Sequence, residues 1–171
     1  QKEVLVPFSF DKTWYAVENL RRVGDYLKGK RVTKPLEGRY YVSSDLFKVM
    51  EGAAYLLTLE RDAEIEAKMD EIIDIIAAAQ KSDGYLYEHH TMPKHLRNPR
   101  NNRSTGDKPY SYVAHSHELY NMGHMYEGAI AYYRATGKRK WLDVAEKSAQ
   151  HINRVFFEGD PNYNGGKPVM E

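Results

Sequence analysis

The residues best suited to chemistry fall in one short run, HSHELYNMGH, from His115 to His124. In a helix opening here, Leu119, Met122, Tyr126, Ile130 and Tyr133 share one apolar face. The other face carries His117, Tyr120, Asn121, His124, Gly128, Ala131 and Ala135. It has no charged side chain near its centre, which sets it apart from an ordinary solvated face. Small residues deeper in, with His and Tyr near the helix start, read as a cavity wall with polar groups at its mouth. Imidazole and phenol suit hydrogen bonding to a neutral polyhydroxyl ligand, and phenol adds a stacking edge. The competing reading makes these histidines satisfied core residues or interhelical bridges.

No metal ligand is assigned. HELYN starts like a zincin HExxH, but Asn121 stands where the second histidine is needed. His117 and His124 lie about 10 Å apart along a helix axis, too far for two ~2 Å bonds to one zinc. His89, His90 and His95 form a looser cluster with no carboxylate pattern or cysteine beside it. Asp45, Glu51, Glu118 and Glu127 sit on helices with buried faces, so each needs a partner or a function. Glycosidases oppose two carboxylates roughly 5–9 Å apart, and spacing along the chain does not show which pair, if any, meets that distance. The run KSDGYL, Lys81 to Leu86, is a helix stop and turn that offers Asp83 and Tyr85 as further ligand contacts.

Five helices must position these groups, over about Lys12–Leu27, Ser44–Leu59, Ala63–Gln80, Ser116–Thr136 and Arg139–Phe156. Gly137 closes the fourth. The third has an apolar stripe of Ile65, Met69, Ile72, Ile73 and Ile76, with Glu66, Asp70, Glu71 and Asp74 facing away. The fifth is similar, with Trp141, Val144, Ala145, Ser148, Ile152 and Val155 inward. The second is apolar nearly all round, so it is buried on more than one side. A shift of 76 positions lays Glu51-Gly52-Ala53 on Glu127-Gly128-Ala129, Ile65 on Trp141 and Ile76 on Ile152. Repeated inner–outer hairpins are the unit of α/α toroids and α-solenoids, and one hairpin cannot bury its own inner face. The fold expected is all-α, a partial (α/α)6 toroid. Between the hairpins, Asp83 to Ser116 is long and rich in Gly, Pro, Asn, His and Arg. Its Tyr85, Tyr87, Tyr110 and Tyr112, beside Lys94, Arg97, Arg100 and Arg103, suggest a loop over a binding face. A partly disordered insertion is the alternative.

Composition narrows the class. The chain has 171 residues, with 25 Lys and Arg against 24 Asp and Glu, which removes the electrostatic footprint of a nucleic-acid binder. No apolar run reaches the ~18–20 residues of a membrane span. There is no cysteine, so no disulfide framework, thiolate metal site or cysteine nucleophile lies in this stretch. Tyrosine, at 14 against 5 Phe and 2 Trp, favours amphipathic packing and sugar-like contacts.

Three stretches occur in order: SSDLFKVMEGAAYLL (Ser43–Leu57), IIAAAQKSDGYLY (Ile75–Tyr87) and HELYNMGHMYEGAIAYYRATGKRKWLDVA (His117–Ala145). Together they resemble the N-terminal part of glycoside hydrolase family 127 and its relatives, the β-L-arabinofuranosidases. The resemblance runs from about Val42 to Ile152, and HELY-x-x-GH with the tyrosine-rich helix is its most selective piece. It implies an (α/α)6 toroid hydrolysing terminal L-arabinofuranosides of plant glycans with retention. It also implies a cysteine nucleophile in a zinc-thiolate site and a glutamate acid/base, all downstream of the matched region. Only the histidine of HELY, His117, carries over as a sugar-contacting residue, with Glu118, Tyr120 and His124 as neighbours. Asn121 departs from the small residue or cysteine usual in the family, which suggests a subfamily with another substrate.

The expectation is therefore a glycan-binding wall and scaffold spanning 1–171, with catalysis and any zinc outside it and a homodimer open to the complete enzyme. Because five helices cannot close the ring, a cleft lined by His117, Tyr120 and His124 is expected to open on the bare side. A start at Gln1 and an end just after DPNYNGGKP suggest a longer, processed, periplasmic or secreted protein, with the cytoplasm as the alternative. A toroid epimerase or unsaturated-uronide hydrolase, or a non-catalytic α-solenoid module, are the other readings.

Overall fold

A computed structural model describes residues 3–163. Its five long helices are α1 (Leu5–Leu27), α2 (Val42–Leu59), α3 (Ala63–Ala79), α4 (Glu118–Thr136) and α5 (Lys140–Asn153). α1 begins seven residues earlier than the sequence reading placed it. Pro7 falls in its first turn, where the missing N–H has no helical acceptor to lose. Asp62 caps α3, accepting from the backbone N–H of Glu64 and Ile65. Gly137 ends α4 at φ +77°, its N–H returning to Tyr133 O. A wide π turn, Arg154–Glu158, continues α5. The end of the DPNYNGGKP run, beyond Tyr163, lies outside the described residues.

The helices form two layers. α2 packs chiefly on α4, and on the other side of that pair α1, α3 and α5 make the outer layer. Lys48 reaches Tyr120, Glu51 approaches Glu127 and Arg61 reaches Ala135, so α2 and α4 run parallel. α3 and α5 run parallel too, with Asp74 meeting Lys140 and Gln80 bonding to Val144. Parallel neighbours need a crossover, and the segment between the hairpins supplies it. This is the inner–outer repeat of a partial α/α toroid, as the 76-residue shift implied.

One core joins the layers, built from Leu20, Leu46, Phe47, Met50, Met69, Ile72, Ile76, Met125, Tyr132 and Trp141. In α4 the buried stripe is Met122, Met125, Ala129 and Tyr132, not the face expected, since Ile130 and Tyr133 are exposed. Gly128 borders no cavity. A Cβ there would lie 2.5 Å from the Trp141 ring, which fills the place that the row of small residues suggested was empty.

The crossover is ordered and not a loose loop. Three single-turn helices (Glu88–Thr91, Asn102–Thr105, Val113–Ser116) fold it over the starts of α2 and α4. Leu36 N–H donates to Leu96 O, and Asn98 Nδ2 donates to Gly38 O, fastening it to the α1–α2 link. Tyr85, Tyr87 and Tyr110 point inward, leaving Tyr112 as the exposed member of the four. Among the described residues no helix is long and apolar enough to cross a membrane.

Candidate functional site

His117 stands at the start of α4 with φ 57° and ψ 17°. This left-handed conformation costs a non-glycine residue about 1 kcal/mol, so the surroundings must hold it. Its Nδ1 lies 2.8 Å from His115 O. A carbonyl only accepts, so Nδ1 carries the proton and Nε2 is left as an acceptor. Rings enclose the imidazole on three sides, with centroids at 5.3 Å for Tyr40, 5.4 Å for Tyr41 and 5.3 Å for Tyr120.

Tyr120 extends the face. Its ring is 46% exposed, and its hydroxyl accepts from Lys48 Nζ at 2.8 Å. The Lys48 ammonium also lies 5.0 Å from the ring centroid. One turn on, His124 meets Tyr120 edge-on at 4.7 Å. Tyr40, Tyr41, His117, Tyr120 and His124 thus make one continuous strip of aromatic faces and polar edges. The strip is open to solvent rather than enclosed. On the same two helices Tyr55, Leu59, Ile130 and Tyr133 are exposed, so the inner layer is bare on this side, as five helices of a larger ring require.

Three of the six residues expected to bind ligand do not join the strip. Glu118 is 2% exposed and accepts from Tyr85 Oη (2.6 Å), Ser116 Oγ (2.6 Å) and Tyr110 N (3.1 and 3.2 Å). Burial raises its carboxyl above the ordinary carboxylate range, and those hydrogen bonds pull it part of the way back. Tyr85 is buried at 2%, and burial followed by the Glu118 charge pushes its phenol well up. Asp83 is half-buried. Its carboxylate accepts from Tyr85 N and Tyr163 Oη, and Lys81 lies 3.6 Å away. Burial alone would raise it, but the Tyr85 N–H and Tyr163 hydroxyl outweigh that and hold it low. The structure thus places Glu118 and Tyr85 beneath the surface and bonded to each other, away from the strip. A helix-start glutamate turns inward because its neighbour's left-handed turn sends His117 outward, and it then ties the crossover to α4. Asp83 serves the same anchoring end, its carbonyl accepting from His151 and Arg154.

The sequence reading missed Tyr40, Tyr41 and Lys48. The paired tyrosines just before α2 were their only signal, and nothing in the spacing brings them to His117. Of Asp45, Glu51, Glu118 and Glu127, only Glu51 and Glu127 approach each other. With no thiol in the chain, a zinc-thiolate centre finds no ligands among these residues.

The catalytic-domain model of the GH127 β-L-arabinofuranosidases matches residues 13–163. A non-reducing end β-L-arabinofuranosidase of Bifidobacterium longum subsp. longum is 34% identical over 164 residues, covering 94% of this chain and 23% of the relative. A solved GH127 β-arabinofuranosidase superposes with a TM-score of 0.79 at 32% identity, over 98% of this chain and 25% of that one. A GH127 β-L-arabinofuranosidase from Geobacillus stearothermophilus T6 gives 0.77 at 32% identity, over 98% and 26%. The chain thus spans about a quarter of the length of these relatives. With the HELY-x-x-GH strip, the parallel hairpins and the matched model in agreement, the chain belongs to the GH127 β-L-arabinofuranosidase catalytic-domain family.

Proposed function

We propose that this chain forms a sugar-binding wall of an enzyme that hydrolyses terminal β-L-arabinofuranosides of plant glycans with retention of configuration. The observation that carries the reading is the His117 strip. Nε2 offers an acceptor to a sugar hydroxyl, and the Tyr40, Tyr41 and Tyr120 rings offer faces for its C–H edges. The β-L-arabinofuranosidase relatives support the same substrate class. What these residues do is bind and orient. The left-handed turn holds the imidazole at a set angle, and Lys48 fixes the Tyr120 hydroxyl, so the pentose meets a preformed surface. The covalent chemistry belongs to groups beyond this chain.

Replacing His117 with Ala in the complete protein should lower kcat/KM on a β-L-arabinofuranoside by about 100-fold, the worth of a hydroxyl contact that strengthens in the transition state. Steady-state kinetics on an aryl arabinofuranoside measures it. Turnover and affinity both equal to wild type would sink the assignment.

A further inference from the structure

Roughly 10–15 Å along α4 from His117, where the sugar strip ends at His124, a second polar cluster forms between the two inner helices. Glu51 of α2 and His124 and Glu127 of α4 bring one donor atom each to within 4.8 Å of one another. His124 and Glu127 are one turn apart, with Nδ1 3.2 Å from Oε2. Glu51 comes from the neighbouring helix, at the position equivalent to Glu127 in the preceding hairpin.

Two features separate this group from a chance gathering of acidic side chains. The first is the imidazole. His124 Nδ1 is shielded from solvent and makes no aligned hydrogen bond, while the Tyr120 edge fixes the ring. It is a ligand-competent nitrogen already turned toward the carboxylates. The second is the support around Glu51. Tyr55 Oη donates to Glu51 Oε1 at 2.9 Å, the kind of outer hydrogen bond that orients a metal-binding carboxylate. Among the described residues no Lys or Arg comes within ion-pair distance of Glu51 or Glu127, and the nearby Arg134 acts on Tyr55 without forming an ion pair with either carboxylate.

One imidazole nitrogen and two carboxylate oxygens suit a first-row divalent transition ion. Mg²⁺ and Ca²⁺ favour all-oxygen sites. Bonds of 2.0–2.2 Å in a tetrahedral site set donors roughly 3.3–3.6 Å apart, and glutamate torsions can close the present spacing with the backbone in place. We propose that Glu51, His124 and Glu127 bind a divalent transition-metal ion, with Zn²⁺ the best match, and that the ion staples α2 to α4.

The test is metal content. The whole protein carrying this chain is equilibrated with Zn²⁺, dialysed, and measured for zinc per molecule by plasma mass spectrometry. Glu51→Gln, His124→Gln and Glu127→Gln should each lose one equivalent relative to wild type, and His95→Gln, an exposed histidine of the crossover, should lose none. Counting the difference keeps zinc held elsewhere in the protein out of the answer. Helicity by circular dichroism shows that each variant is folded. Should Glu51→Gln unfold, the exposed Glu127→Gln decides. Equal zinc in wild type and in folded Glu127→Gln and His124→Gln overturns the site.

Discussion

Glu118 and His117 are adjacent in sequence and opposite in role. The left-handed turn at His117 sends the imidazole outward among tyrosines and the carboxylate inward among donors. All of the groups bonded to Glu118 donate, so an amide is a poor replacement. Glu118→Gln turns one acceptor into a donor facing Ser116 Oγ or Tyr110 N. We expect a loss of about 1.5–3 kcal/mol, the range for hydrogen bonds to a charged group. Urea unfolding measures it. A change under ~0.5 kcal/mol would mean that the tether contributes little. In the complete protein, any accompanying loss of the proposed hydrolytic activity should be far smaller than for His117→Ala when the folded fraction is equal.

At the scale of elements, α4 shows how one residue type takes opposite roles within two turns. Gly128 lies against Trp141, which is fully buried between the layers, and a Cβ would sit 2.5 Å from its ring. Gly128→Ala should destabilise the chain by about 1–3 kcal/mol, as overpacking does in a close-packed core. Gly123 has nothing within 4 Å of the same construction. Gly123→Ala should therefore stabilise α4 by up to ~1 kcal/mol through helix propensity. Thermal melts of the two variants should move in opposite directions, and a shift of both the same way would refute this packing of α4 on α5. Periodicity located α4 and its end at Gly137 but misassigned its faces. A helix covered on two sides by α2 and α5 has no single apolar stripe for a 3.6-residue pattern to reveal.

For the whole molecule, the crossover carries a pH dependence. Burial holds the imidazole of His89 down at about 3 and that of His90 at about 4, against about 6.5 when unfolded. Below pH 6.5 the unfolded chain takes up protons that the folded chain refuses, so stability present at pH 7 is lost as the pH falls toward 4. The buried carboxyls of Glu88 and Glu118 are raised, so in the window above ordinary carboxylates they bind protons in the folded state and offset part of that loss. Between pH 7 and 5 we expect a net fall of about 2–4 kcal/mol in unfolding free energy, roughly halved in His89→Gln. Urea titrations at the two pH values test it. Equal stability at both would show that these histidines are not buried as neutral groups.

The linear pattern was enough for the parts of this protein that depend on local periodicity and repetition. It located five helices to within a few residues, except at the start of α1, and gave the inner–outer order, the 76-residue repeat and the grouping of His117, Tyr120 and His124. The crossover was beyond it. A stretch rich in Gly, Asn and Arg reads as a surface loop, yet Tyr85, Tyr87 and Tyr110 are buried because Glu118 and Asp83 accept from Tyr85 and Tyr110, and the Ser116 carbonyl accepts from the Tyr87 hydroxyl. Tertiary structure alone brought Tyr40, Tyr41 and Lys48 to His117 and Tyr120, and Glu51 to His124 and Glu127. The physical reason is that helical spacing relates residues three or four apart, whereas these meetings are set by how two parallel helices register against each other, and that register is decided by packing across the core.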